Sequence, residues 1–242
     1  MILVLLVGPN LVSQDLRYNA LPLYFSRPLR RVDYFLGKLG VIAALLGVSV
    51  IGPALVAFVL GLLFSLDVTI VRDTLPIVLG AIVYGLVIAV SAGLLMLALS
   101  SLSRSSRYVA LLWLGVWLLT STVSFVLMNV DQHHRMRETG VRSRAWSNEQ
   151  FLSAELEAAK TDWRPLVSYT SNLRRIEERL LHTNAAWQRI NDLAPTPRPM
   201  IFISQMIDTQ YPWYWSAGVL LGLAVISAGT LQLNVKSLDR LK

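Results

Sequence analysis

Four long apolar blocks limit what this chain can fold into more than any other feature. Each contains 20 to 28 residues with almost no charge. A hydrocarbon core about 30 Å thick needs about 20 apolar residues in helical conformation, and a helix satisfies its own backbone hydrogen bonds in lipid. The sequence therefore predicts an all-α membrane protein with complete transmembrane helices at 39–66, 75–102, 108–130 and 216–235.

The composition agrees with membrane insertion. Hydrophobic residues make up 54% of the 242 residues and charged residues only 15%, whereas about a quarter of a soluble domain is charged. The chain has no cysteine, so disulfides, thiolate metal sites and cysteine nucleophiles are excluded. The net charge of +7 fits basic loops held at the cytoplasmic face of a bilayer. The lipid bilayer is thus an expected partner, and nucleic acid is not.

The organisation predicted from these blocks has three parts. Residues 1–130 form a transmembrane region that includes a polar, basic cytoplasmic segment, 12–38. Residues 131–210 form an extracytoplasmic helical segment, and residues 211–242 form the last transmembrane helix and a basic cytoplasmic tail. The apolar block 1–11 is about half a span long, so we expect the second half of a helix whose beginning is missing. The predicted fold is a bundle of about five transmembrane helices, the first one truncated.

Sidedness follows from basic residues in short segments. The segments 12–38 and 103–107 and the C-terminal tail together carry ten Arg and Lys, while the short loop 67–74 carries one. Segment 131–210 has eleven basic and ten acidic residues, and loops longer than about 60 residues are largely exempt from the rule. This pattern places 131–210 outside the cytoplasm.

The polar segment 131–210 shows helical patterns of its own. Leu173, Ile176 and Leu180 recur at helical spacing among charged residues, which predicts an amphipathic helix. Ser147 and Gln150 are spaced as a capping box before a second helix that ends near Lys160. The aromatic cluster at 211–215 is typical of a headgroup boundary.

Residues 8–38 contain the one distinctive local motif, GPNLVSQDLRYNALPLYFSRPLRRVDYFLGK. An apolar helix ends near Asp15 and Arg17, an apolar-aromatic turn follows, and a basic cluster leads into the next span. Such a turn at the cytoplasmic interface could dock into a groove on a soluble partner. The residues predicted to make this contact are Leu21, Leu23, Tyr24, Phe25, Arg27 and Pro28.

This stretch resembles the permease subunits of type-2 ABC transporters, the ABC-2 family. The resemblance is carried by an acidic helix end, a Ser-Arg-Pro segment, and an arginine with a Gly-Lys pair that opens the next span. It covers about 30 residues; elsewhere only the hydropathy pattern agrees. The motif residues outside the docking turn are Gly8, Asp15, Arg17, Arg31, Gly37 and Lys38.

The resemblance implies a function and a set of partners. A permease of this family works as a homo- or heterodimer in the cell membrane, here the bacterial inner membrane, with separate ATP-binding subunits. No phosphate-binding loop occurs in this chain, so ATP and Mg²⁺ are expected only in the partner subunit. Family members have six spans, and this chain starts inside what would be the second.

Several alternatives stay open from the residues alone. Asp15 either is solvated at a helix end or pairs with an arginine that fixes the interfacial turn, and the Tyr24-Phe25 pair could instead lie flat among the headgroups. A membrane scaffold or assembly factor acting through 131–210 is the main rival to a transporter. An enzyme is not predicted, because the spans offer no converging catalytic, cofactor-binding or metal-ligating set. We also expect the serines and threonines at 120–124 to bond back to their own helix.

Overall fold

The computed structural model describes residues 2–18, 20, 31–64, 69–140, 160–181, 183 and 211–239. Within these ranges all regular structure is helical and there are no strands. Six α-helices and one short 3₁₀-helix (Arg164–Val167) follow one another. The α-helices are α1 (Ile2–Arg17), α2 (Arg31–Phe64), α3 (Thr69–Leu102), α4 (Ser106–Gly140), α5 (Tyr169–Leu181) and α6 (Trp213–Asp239).

Four of these helices are long and apolar enough to cross a membrane. The qualifying stretches lie in α2, α3, α4 and α6, and the apolar stretch of α1 is shorter. The four apolar helices indicate a multi-pass membrane protein, as the sequence predicts. Their spans are Asp33–Phe64, Thr74–Leu102, Ser106–Asp131 and Trp213–Asn234.

Exposed apolar side chains on these helices fit a lipid environment. Val48 is 75% exposed on α2, Leu119 67% on α4 and Val225 70% on α6. Soluble monomers rarely expose contiguous apolar surface beyond a few hundred Å², whereas hydrocarbon chains solvate such faces without cost. The outward faces of the helices are therefore as apolar as their contacts with one another.

The chain divides into two compact units, Met1–Val116 with Leu220–Lys242, and Trp117–Val219. In the first unit, α3 packs against both α1 and α2, and it is the most buried of the four spans. Small residues allow the close approach: a Cβ on Gly93 would lie 2.5 Å from Leu39 Cδ1 of α2, and one on Gly85 would lie 3.4 Å from Ile51 Cγ1. Glycine at such positions lets helix backbones come together in lipid.

In the second unit, Arg164 attaches the 3₁₀-helix to α4. The Ser124 hydroxyl donates to the Arg164 carbonyl at 3.2 Å, and the Arg164 guanidinium forms ion pairs with Asp131 and Asp162. Thr120 bonds back to the Trp117 carbonyl as predicted, whereas the Ser124 hydroxyl bonds to the Arg164 carbonyl and to Met128 Sδ, one turn further along α4. This hydroxyl is used to join two elements.

The predicted amphipathic helix is confirmed as α5. Leu173 and Ile176 are buried, and the Ser168 hydroxyl caps the helix by accepting from the Ser171 amide at 3.3 Å. The Tyr211 hydroxyl donates to the Ser171 carbonyl at 3.2 Å. Tyr211 is fully buried, so it joins this unit's interior and is not a headgroup anchor, unlike the exposed Trp213 and Tyr214 that follow it.

The helix boundaries differ from the sequence prediction at the connections. The structure is helical from Thr69, so the later part of the loop predicted at 67–74 belongs to α3. Helix α1 continues to Arg17 and α2 begins at Arg31, so both ends of the polar segment 12–38 are helical. A helix needs no lipid to satisfy its backbone, so it continues past the apolar run. Most of the helix predicted to end near Lys160 lies outside the described residues.

Candidate coupling site

The predicted site residues fall into two groups in the structure. The six residues predicted to dock, which define the docking turn, lie outside the described residues: Leu21, Leu23, Tyr24, Phe25, Arg27 and Pro28. Arg31 is the first residue of α2, and its side chain is not described. The remaining motif residues lie on the two helices that flank the turn: Gly8, Asp15 and Arg17 on α1, and Gly37 and Lys38 on α2.

Asp15 joins the end of α1 to the beginning of α2. Its carboxylate accepts a hydrogen bond from the Tyr34 hydroxyl at 2.5 Å and forms an ion pair with the Lys38 ammonium at 2.9 Å. Tyr34 and Lys38 are four residues apart and share a face of α2, and the ammonium also lies 5.5 Å from the Tyr34 ring centroid. Asp15 is thus paired and not solvated, and its partner is a lysine where the sequence suggested an arginine.

Partial burial makes this contact stronger than an ordinary surface pair. The Lys38 and Asp15 side chains are only 23% and 15% exposed, and Tyr34 is 8% exposed. Exposed ion pairs contribute about 0–1 kcal/mol, while a hydrogen bond to a charged group contributes about 1.5–3 kcal/mol. The combination ties together the two chain segments that enter and leave the docking turn.

A backbone hydrogen bond terminates α1. The Ala20 amide donates to the Asp15 carbonyl at 2.9 Å, a closure five residues back that is typical of helix C-termini. Arg17 is exposed, and its guanidinium lies 5.7 Å from the ring centroid of the neighbouring Tyr18. The chain therefore leaves α1 in a defined direction, with Arg17 directed away from the helix packing.

A hydroxyl from α3 inserts into the backbone of α1. Ser100 Oγ accepts from the amides of Val12 and Ser13 at 3.2 and 3.0 Å and donates to the Pro9 carbonyl at 3.2 Å. Amides inside a helix ordinarily bond to the carbonyl four residues back, and an inserted side chain is a recognised cause of helix bending. Ser13 and Ser100 are fully buried, so the Ser100 hydroxyl is a buried hydrogen-bond partner for the backbone of α1.

The same stretch also reaches α4. The hydroxyls of Ser13 and Ser106 share a hydrogen bond of 2.9 Å, and the Ser13 hydroxyl also bonds to the Pro9 carbonyl. Ser106 is the first residue of α4. The three serines therefore form one hydroxyl cluster, defined by Ser13, Ser100 and Ser106, where α1, α3 and α4 meet.

Gly8 lies one turn before this cluster and packs on Met96, one turn before Ser100. A Cβ at Gly8 would overlap Met96 Cγ and would lie 2.9 Å from Met96 Cε. The paired contacts, 8 with 96 and then 12–13 with 100, show that α1 and α3 run in the same direction. Gly37, the other motif glycine, has no neighbour within 4 Å of a built Cβ, so packing does not require glycine there.

Several helix ends thus lie together at one end of the first unit. The Asp15–Lys38 pair joins α1 and α2, the Ser13–Ser106 bond joins α1 and α4, and Asn234 Nδ2 of α6 donates to Ser101 Oγ of α3 at 3.1 Å. Segment 12–38, the turn 103–107 and the end of the last helix are the segments that the sequence places on one side of the membrane.

These polar contacts join α1 to α2, α3 and α4. Among the residues that the structure describes, no group of three His, Cys, Asp or Glu could hold a metal ion. Asp15 is engaged by two partners. Sequence reasoning missed Tyr34, Ser100 and Met96. Only Tyr34 had a detectable signal, because it precedes Lys38 by one helical turn.

Comparisons with known proteins add no family to these observations. No family model matches the chain, and neither the curated proteins nor the solved structures gave a match.

Proposed function

We propose that this chain is the membrane-spanning permease subunit of an ATP-driven ABC exporter, coupling ATP hydrolysis in a separate subunit to movement of substrate across the membrane. The observation that carries the proposal is the contact of Asp15 with Tyr34 and Lys38. This contact joins the end of α1 to the beginning of α2, the two helices that flank the apolar-aromatic turn 20–28. The resemblance assigns that turn to docking on the ATPase.

A coupling element must be connected mechanically to the spans that it moves. Asp15 connects the turn to α2, and the adjacent hydroxyl cluster connects the same end of α1 to α3 and α4. A displacement of the turn would therefore reach three membrane-spanning helices within two helical turns. A segment that only links two spans needs few contacts with the rest of the protein, and such segments tolerate sequence changes well.

The partners of this permease follow from the resemblance. ATP and Mg²⁺ are held by the ATP-binding subunit, because this chain has no phosphate-binding loop. A second copy or a paralogue completes the translocation path as a homo- or heterodimer, and the complex lies in the bacterial inner membrane. Exposed apolar faces such as that of α2, where Leu63 is 73% exposed, are available for lipid or for the second subunit.

The proposal is tested by truncating the two aromatic residues of the docking turn. The double variant Tyr24→Ala with Phe25→Ala should insert and fold but lose association with the ATPase. Aromatic anchors commonly cost about 2 kcal/mol or more when truncated, which corresponds to roughly a 30-fold loss of affinity. Co-purification of the ATPase subunit and transport-linked ATP hydrolysis are measured in the variant and the wild type.

A matched control uses an aromatic residue away from this end. Phe64, at the far end of α2, is 86% exposed, so Phe64→Ala removes a comparable side chain and should leave association unchanged. If the double variant keeps both association and hydrolysis at the wild-type level, the coupling role is wrong and the transporter assignment loses its main support.

A second experiment tests the contact of Asp15 with Tyr34 and Lys38 separately from the aromatic residues of the turn. Asp15→Ala should leave ATPase association largely intact, because the aromatic residues are untouched, but should reduce hydrolysis-linked transport. Exchanging the charges, Asp15→Lys with Lys38→Asp, should restore part of the transport. Loss of association together with transport in Asp15→Ala would instead show that the pair only maintains the fold of the turn.

A scaffold or assembly factor is the second candidate, and the Arg164 contacts favour it. Ser124, Asp131 and Asp162 hold Arg164 in place, so residues 160–181 form a built structure and not merely a connection. If this structure is the working part, Arg164→Met should abolish function while Tyr24→Ala with Phe25→Ala does not. The transporter hypothesis predicts the opposite order of severity.

A further inference from the structure

Three arginines form an exposed basic patch at the end of the first unit where the helix ends meet. The patch is defined by Arg17 of α1, Arg104 of the α3–α4 turn and Arg107 of the first turn of α4, all exposed. Within the described part of the chain, none of the three guanidinium groups has an ion-pair partner. The patch therefore presents three positive charges with which no carboxylate of the described residues forms an ion pair.

The contacts between the helices place these three residues at the same end of the first unit. Helices α1 and α3 run in the same direction with Ser13 against Ser100; Arg17 ends α1, and Arg104 lies in the turn that follows the end of α3 at Leu102. Arg107 follows Ser106, which is bonded to Ser13 at 2.9 Å. The hydroxyl cluster thus serves as the common base of the patch, although the arginines are up to 90 residues apart in the chain.

Apolar and aromatic surface continues directly from the patch. Tyr18 and Tyr108 are 72% and 65% exposed beside Arg17 and Arg107, and Leu111, one turn along α4 from Arg107, is 63% exposed. Arg107 and Leu111 share a helix face because they are four residues apart. A ligand that fits this surface has an anionic group at the helix ends and an apolar chain along α4.

We infer that the patch of Arg17, Arg104 and Arg107 binds the phosphate headgroup of an anionic phospholipid, with an acyl chain lying along the Tyr108–Leu111 face of α4. Arginine matches phosphate oxygens with paired N–H donors, and basic sites between membrane helices are known to hold anionic headgroups. An acidic surface of a partner protein would satisfy the charges but would not use the apolar face below them. The inference needs only a membrane protein and does not depend on the transporter assignment.

The test measures lipid preference with the purified protein in bilayer nanodiscs. Spin-labelled phosphatidylglycerol and phosphatidylcholine with the same acyl chains are compared, and the motionally restricted fraction gives their relative association constant. The wild type should prefer phosphatidylglycerol. The triple variant Arg17→Gln, Arg104→Gln, Arg107→Gln should lose that preference by at least about fivefold, since each basic residue near an anionic surface contributes on the order of 1 kcal/mol.

Two controls make the result specific. Arg179→Gln removes an exposed arginine on α5 and should keep the preference, and the triple Arg→Lys variant keeps the charges and should retain most of it. No preference for phosphatidylglycerol in the wild type, or a preference that the triple glutamine variant keeps, would overturn the inference. So would a triple glutamine variant that loses only its association with an ATPase subunit, because the patch would then be a protein-docking surface.

Discussion

Replacing Gly8 by alanine is expected to destabilise the protein through a single methyl group. The new Cβ would overlap Met96 Cγ and lie 2.9 and 3.1 Å from Met96 Cε and Sδ. Met96 is fully buried, and Cγ is close to the backbone, so a rotation of the side-chain tip does not relieve the overlap. Either Met96 changes its rotamer inside a packed interface or α1 moves away from α3.

The expected cost follows from comparable overpacked cores, where forced rotamers and backbone shifts cost about 1–3 kcal/mol. For a chain of this length that corresponds to a fall of roughly 3–10 °C in the melting temperature. Gly93→Ala should cost less, because its Cβ would meet Leu39 Cδ1, the far end of a side chain, at 2.5 Å. Gly115→Ala meets nothing within 4 Å and should be neutral or slightly stabilising, since alanine is the better helix former.

Thermal unfolding of detergent-solubilised protein, followed by tryptophan fluorescence, measures all three variants. The double variant Gly8→Ala with Met96→Ala provides the rescue: Met96→Ala alone leaves a cavity that costs about 2–5 kcal/mol, and the methyl group added by Gly8→Ala occupies part of it. The double variant should therefore be more stable than the sum of the single changes predicts. A Gly8→Ala protein as stable as Gly115→Ala, or strictly additive effects in the double variant, would refute the close α1–α3 contact.

Three further predictions use other parts of the structure. Ser100→Ala should cost about 1–3 kcal/mol by removing a buried acceptor, measured as a fall in melting temperature; an unchanged value would mean that α1 needs no hydroxyl from α3. Because the chain has no cysteine, single cysteines at Ser147 and Ser26 can be probed with a membrane-impermeant thiol reagent on intact cells. Ser147→Cys should react and Ser26→Cys should not, and the reverse result would invert the topology. Burial raises the pKa of Tyr211 above 10.0, its ordinary value, so its stabilising contribution is present below pH 10 and is lost as the pH rises through the folded-state pKa. Tyr211→Phe should reduce this alkaline loss of stability in a series of melting curves, and identical pH profiles would contradict it.

The membrane-spanning helices were predictable because bilayer thickness sets their length independently of neighbouring contacts. The block predicted at 75–102 ends at Leu102, as α3 does, and the spacing of Leu173 and Ile176 located α5. Boundaries failed where polar residues continue a helix beyond its apolar run, as at Thr69. Hydropathy indicates which residues contact lipid, but it does not indicate where a helix begins or ends, because a helix can continue into the polar region.

The polar contacts were less accessible to sequence reasoning. Segment 12–38 offers five basic residues as partners for Asp15, and only the register of α2 brings Lys38 and Tyr34 to it. Ser100 and Ser124 look like other small residues in apolar helices, because nothing in the local sequence says which helix face meets a neighbour. The docking turn stays a prediction, since its six residues lie outside the described ranges.

The insertion of Ser100 into α1 has a consequence for the order in which the molecule is assembled. The Asp15–Tyr34 contact spans 19 residues of chain, but the Ser100–Ser13 contact spans 87. Chains emerge from the ribosome N-terminus first, so α1 and α2 can associate through Asp15 as soon as α2 begins to enter the membrane. Until α3 has been synthesised, the amides of Val12 and Ser13 lack the Ser100 hydroxyl as an acceptor. The buried polar contacts of α1 are therefore completed only by a helix that is made well after it.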